Sequence, residues 1–105
     1  MGITTHVLDT AKGKPAQGVP VVLMMLDGDW KSIARGVTDV DGRLRTLTEG
    51  VNLQRGTYRL TFDTAAYGTT FFPEVSIIFR VDDPAQHYHV PLLLSPFGYS
   101  TYRGS

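Results

Sequence analysis

Val19-Pro20-Val21-Val22-Leu23-Met24-Met25-Leu26-Asp27-Gly28-Asp29-Trp30 is the stretch on which the fold turns. Val19 to Leu26 is apolar at every position, so it reads as a strand covered on both faces. Asp27-Gly28 is a two-residue hairpin signal leading into a second strand, Trp30 to Val37. Asp41-Gly42 repeats the device before Arg43 to Leu47. Upstream, Ile3 to Asp9 alternates Ile3, Thr5 and Val7 with Thr4, His6 and Leu8, the period of a half-buried strand, and turn-rich Thr10 to Gly18 separates it from the apolar run. Downstream, Thr57 to Asp63 alternates Tyr58, Leu60 and Phe62 with Arg59 and Thr61. Pro73 to Val81, His87 to Leu94 and a last strand from about Tyr99 to Arg103 complete the series.

The 11 Gly and 6 Pro of this 105-residue chain cut it into pieces too short for most helices. About seven or eight short strands bounded by turn residues are the pattern of an all-β sandwich. The single helical candidate is a turn or two at Thr64 to Tyr67, with Thr64 placed to cap it. Asp82-Asp83-Pro84 reads as a surface loop. The segment Tyr99 to Ser105 is rich in Tyr, Thr and Arg, and we expect it to be docked rather than frayed.

The length fits one domain spanning residues 1–105. With no cysteine there is neither a disulfide nor a zinc-thiolate site. Ten Lys and Arg balance ten Asp and Glu, and the cations are scattered, which argues against nucleic acid or an anionic membrane as partner. No apolar run reaches the roughly 18 residues of a membrane span, and Met1-Gly2-Ile3-Thr4 enters a strand pattern without the regions of a signal peptide. The expectation is a soluble, cytoplasmic protein.

Three histidines carry the available chemistry. His87 and His89 share one strand face, as Thr4 and His6 share theirs, because strand side chains alternate. Two readings stand for them: satisfied surface or interface residues, or a three-His zinc site built from His6, His87 and His89. Other motifs fail. Aligning Gly42 with the glycine of a calcium loop puts Val37 and Thr48 where acids are required. Gly98-Tyr99-Ser100-Thr101-Tyr102 lacks the final glycine of a nucleophile elbow. Glu49 and Glu74 are isolated carboxylates.

Seven segments nevertheless resemble, in order, those of the transthyretin-like 5-hydroxyisourate hydrolases. They are Ile3-Thr4-Thr5-His6-Val7-Leu8-Asp9-Thr10, Gly13-Lys14-Pro15-Ala16, Thr38-Asp39-Val40-Asp41-Gly42-Arg43, Phe62-Asp63-Thr64, Phe72-Pro73-Glu74-Val75, His87-Tyr88-His89-Val90-Pro91-Leu92-Leu93-Leu94-Ser95-Pro96 and Tyr102-Arg103-Gly104-Ser105. The Tyr102-Arg103-Gly104-Ser105 end separates these enzymes from the thyroid-hormone carrier of the same fold. The resemblance implies a transthyretin-like β-sandwich of two four-stranded sheets with one short helix, assembled as a homotetramer, a dimer of dimers. It implies hydrolysis of 5-hydroxyisourate to 2-oxo-4-hydroxy-4-carboxy-5-ureidoimidazoline, in urate degradation. The implied site is His6, Arg43 and His89 as catalytic residues with Tyr102, Arg103, Gly104 and Ser105 binding substrate, in a channel between dimers. The stretch Thr64 to Phe72 looks shorter than in many members, which bears on the helix length.

The chemistry required agrees with that inventory. Opening a cyclic amide needs a base for water, an acid for the leaving nitrogen and a donor for the oxyanion. His6 and His89 suit the proton transfers near neutral pH, and Arg43 suits the oxyanion. No cofactor or metal is required. Two alternatives stay open: a non-catalytic small-ligand carrier of the transthyretin type, and the three-His zinc hydrolase. Being apolar on every position, Val19 to Leu26 also argues for cover from a partner subunit.

Overall fold

The computed structural model describes residues 2–68 and 70–105, so Met1 of the opening segment and Thr69 of the Thr64 to Phe72 stretch lie outside the described residues. Nine strands and one helical turn follow in the order β1 (Ile3–Asp9), β2 (Lys14–Pro15), β3 (Pro20–Asp27), β4 (Asp29–Val37), β5 (Arg43–Leu44), β6 (Gly56–Phe62), α1 (Thr64–Tyr67), β7 (Val75–Val81), β8 (Tyr88–Leu94) and β9 (Tyr99–Thr101). They form two sheets, one ordered β4-β3-β6-β7, the other β2-β1-β8-β9 with β5 also paired to β1. Both β2 and β5 pair antiparallel with β1, β2 beside Leu8 and Asp9 and β5 beside Thr5 and His6. The second sheet therefore has four strand positions and five segments, the fourth position being shared by two short pieces.

The core lies between the sheets. Alternation sends Ile3 and Val7 of β1, Val21 and Leu23 of β3, Tyr58, Leu60 and Phe62 of β6 and Leu92 and Leu94 of β8 inward, each at most 2% exposed. Truncating one of the large aliphatic members to alanine removes roughly 2 to 5 kcal/mol. The buried tyrosine hydroxyls are satisfied: Tyr58 donates to the Gln54 carbonyl at 2.6 Å, and Tyr88 accepts from Asp82 and Asp83 N–H at 3.1 and 3.0 Å. The latter pair pins the Asp82–Asp83 loop, which leads directly to His87.

Three expectations change. Val19 to Leu26 is covered on one face only, since Val22 and Met24 are half-buried and Leu26 is 44% exposed. The helix cap is Asp63, whose carboxylate accepts from Ala66 N–H at 3.1 Å, because Thr64 is buried and its hydroxyl donates to the Phe72 carbonyl. The Asp41-Gly42 turn does not close a hairpin: β4 belongs to one sheet and β5 to the other. Gly42 has φ +72°, and a Cβ there would sit 2.4 Å from the Val7 carbonyl oxygen, so the turn lies directly on β1. That close approach is what carries Arg43 across to β1.

Candidate active site

The outward positions of β1 are Thr4, His6 and Leu8. In the parallel ladder with β8, Thr4 is opposite His89 and His6 opposite Pro91; in the antiparallel ladder with β5, His6 is opposite Arg43. Paired residues share a face, so register alone gathers Thr4, His6, Arg43 and His89 on the outside of one sheet. An open cleft of about 290 Å³ on that face is lined by Thr4, Arg43, Arg45, His87, His89 and Ser105, with buried Thr5 at its floor.

Each wall is held by backbone chemistry. Asp39 organises the turn before Arg43: its carboxylate accepts from Asp41 N–H at 2.9 Å and Arg43 N–H at 3.0 Å. Those donors, with the Arg45 and Arg43 charges, hold its carboxyl below the usual value. On the opposite wall, Thr101 donates its hydroxyl to the Pro91 carbonyl at 2.7 Å, and Gly104 N–H donates to the His89 carbonyl at 2.8 Å. The His89 ring lies over Gly104, where a Cβ would meet its Cδ2 at 2.6 Å. This contact brings Ser105 to the cleft.

Tyr102 and Arg103 go elsewhere. They line a separate, mainly apolar cleft with Ile78, Phe79 and Tyr88, where the Arg103 guanidinium stands 4.5 Å from the Tyr88 ring centre. One protomer therefore brings together His6, Arg43, His89, Gly104 and Ser105 but places Tyr102 and Arg103 around the corner.

The electrostatics favour neutral imidazoles. Burial lowers the His6 pKa, helped by the Arg43 cation and opposed by the Asp41 backbone and the Asp39 and Asp41 charges. Burial likewise lowers that of His89, with Arg43, His87 and His6 adding in the same direction. Nε2 of His6 is buried without a hydrogen-bond partner. Two neutral bases beside the Arg43 guanidinium can activate water and receive an oxyanion. Among the described residues, no group of three or more His, Cys, Asp or Glu is placed to hold a metal ion.

Sequence reasoning did not assign Thr4 or Arg45 to the cleft. The signal was present: each lies two residues from a site residue, Thr4 from His6 and Arg45 from Arg43, and period two keeps such pairs on one face.

The HIUase/transthyretin family matches residues 3–104. The chain belongs to this family. A relative within it, the 5-hydroxyisourate hydrolase of Deinococcus radiodurans, is 47% identical over 114 residues, covering 99% of this chain and 96% of the relative. The solved structure of the 5-hydroxyisourate hydrolase of Klebsiella pneumoniae superposes with a TM-score of 0.84 at 37% identity, covering 98% of each chain. The transthyretin of Sparus aurata superposes with a TM-score of 0.90 at 34% identity, covering 97% of this chain and 95% of that one. Backbone likeness thus joins hydrolase and transthyretin members alike, and no helix of the described residues is long and apolar enough to cross a membrane.

Proposed function

We propose that this protein hydrolyses 5-hydroxyisourate to 2-oxo-4-hydroxy-4-carboxy-5-ureidoimidazoline in urate degradation. The observation that carries the reading is the convergence of His6, Arg43 and His89 on one outer sheet face, beside the cleft that Ser105 enters. One neutral imidazole takes a proton as water attacks the ring carbonyl. The new C–O bond places negative charge on the carbonyl oxygen, which the Arg43 guanidinium faces. Collapse breaks the ring C–N bond, a protonated imidazole returns the proton to the leaving nitrogen, and the new carboxylic acid gives its remaining proton to water to leave a carboxylate. Ser105 positions the substrate, and Gly104 positions Ser105.

The working unit in this proposal is a cytoplasmic homotetramer, a dimer of dimers. Strands β7 and β9 end their respective sheets with unpaired edges, and Ile78 and Phe97 are 60% and 81% exposed. Burying that surface against further copies would place the cleft in a channel, where Tyr102 and Arg103 of a facing protomer reach the substrate. Light scattering should give a multiple of the 11.6 kDa chain mass, and a fully active monomer would overturn the channel. The test of function is pure protein mixed with freshly generated 5-hydroxyisourate. Ultraviolet absorbance should show accelerated decay, with and without a chelator. Binding without turnover favours a transthyretin-type carrier; chelator-sensitive turnover favours a zinc hydrolase.

A further inference from the structure

Between His87, just before β8, and His89 within it sits a hydroxyl. Thr4 Oγ1 lies 2.8 Å from Nε2 of His87 and 2.8 Å from Nδ1 of His89, while the two rings are 6.3 Å apart between centres. The rings therefore meet through the hydroxyl. It places Thr4 there because β1 and β8 run parallel with Thr4 opposite His89. His89 lies inside the cleft and is half-buried, whereas His87 is exposed to solvent.

We infer that Thr4 and exposed His87 form a proton relay that sets the tautomer of His89 and exchanges its proton with solvent. A threonine hydroxyl has one proton to give, so the two facing nitrogens cannot both be bare. When neutral His89 serves as base through Nε2, its proton is on Nδ1 and is donated to Thr4 Oγ1. The Thr4 proton then points to Nε2 of His87, and His87 carries its own proton on Nδ1. When His89 Nε2 gains a proton, Nδ1–H passes to Oγ1 as Oγ1–H passes to His87 Nε2. Two bonds to hydrogen break and two form, and the positive charge moves from His89 to His87, which releases a proton to water. The charged groups around His89 favour that direction. Arg43 faces it from β5, His6 from β1 and Arg45 from the cleft wall, whereas Asp39 and Asp41 act on His6. The Arg43 guanidinium repels a cation on His89, whereas relocating it to His87 puts it on an exposed ring, beside Arg45.

This rests on the hydrolase reading above, and Thr4 and His87 are positioning residues within it. Wild-type turnover of 5-hydroxyisourate is measured first. If it fails, the hydrolase reading fails, while the relay is still read by 15N NMR of the His89 ring. In wild type the spectrum should show the Nδ1–H tautomer, and Thr4→Val should shift it towards a mixture of both. In kinetics, Thr4→Val and His87→Ala should each lower kcat by about tenfold, less than a lost general acid or base, with KM nearly unchanged. Thr4→Ser should keep wild-type turnover. Added imidazole should restore His87→Ala but not Thr4→Val, and the double variant should be no worse than Thr4→Val. Wild-type kcat and tautomer in Thr4→Val would overturn the relay, as would a His87→Ala loss that imidazole leaves unchanged. If Thr4→Val misfolds, Thr4→Ser and imidazole rescue decide the question alone.

Discussion

The two ends of β1 handle ionisable groups in opposite ways. At the far end, buried Asp9 is fully engaged: its carboxylate accepts from the Tyr67 hydroxyl at 2.6 Å and from Lys12 N–H at 3.1 Å. Burial pushes the Asp9 carboxyl up, but these donors and the Lys12 charge outweigh it and hold the group low. Burial and the same contact push Tyr67 up to about 12. At the near end, His6 keeps a buried ring nitrogen without a partner, and His89 shares a hydroxyl with a second imidazole. A buried polar group with all its partners is a structural pin; one with lone pairs to spare is poised for a ligand. The same strand supplies both, and only the neighbours differ.

The sharpest way to break this contrast is to strip the near end. Arg43→Ala should cost about 2.7 to 4 kcal/mol of barrier, roughly 100- to 1,000-fold in kcat, with little change in melting temperature. His89→Ala should cost about 100-fold or more. Near wild-type turnover in either variant would remove that residue from the reaction. Gly104→Ala is subtler. Its Cβ must push the His89 ring or displace the segment carrying Ser105, and a misplacement near 1 Å costs on the order of 100-fold. A folded Gly104→Ala protein with unchanged kcat would show that the ring position does not matter.

The pH profile should follow the direction of the histidine shifts. Both folded pKa values lie below the ordinary imidazole value of 6.5, so the bases stay neutral at pH 7 and the acid limb of kcat should fall below 6.5. Arg43→Gln, which removes a cation, should move that limb upward. Stability has its own sign: the unfolded chain takes up these protons first, so stability declines as pH falls from 6.5 towards the folded pKa values and levels off beneath them. A limb at or above 6.5 in wild type would contradict the burial argument. The smallest effect on turnover belongs to the far end. Tyr67→Phe should destabilise by about 1 to 3 kcal/mol in urea unfolding while leaving kcat and its pH profile alone. Because Asp9 is held low when folded, its contribution is present above 3.8 and is lost as pH falls through its folded pKa.

Local patterns told most of this in advance. Period two located β1 and β6, and β-rich composition between turn residues located β8, each within a residue or so; the Asp63-Thr64 pair marked α1 although the wrong member was read as its cap. What local patterns omit is register. Lys14–Pro15 is a strand only because Leu8 and Asp9 lie beside it. The Asp41-Gly42 turn looks like a hairpin until Gly42 is seen against the Val7 carbonyl, and then it is a crossing between sheets. Thr4 became a site residue for the same reason, since only the β1–β8 pairing sets it against His89. Tyr102 and Arg103 immediately precede Gly104 and Ser105 in the chain, yet they turn to the other cleft, where Arg103 stacks on Tyr88.

That β1–β8 pairing has a consequence for the order of folding. Thr5 and Val90, joined by a hydroxyl-to-carbonyl hydrogen bond, are 85 residues apart, and the loop between them must close before any parallel ladder contact is gained. The local hairpins β3–β4 and β6–β7 can form early, while β1 waits for a strand made late in synthesis. A nascent chain therefore carries a largely paired first sheet with its apolar inner face uncovered and no assembled cleft. Catalytic competence arrives with the final strands, and the interval before it is when this chain is most exposed to aggregation.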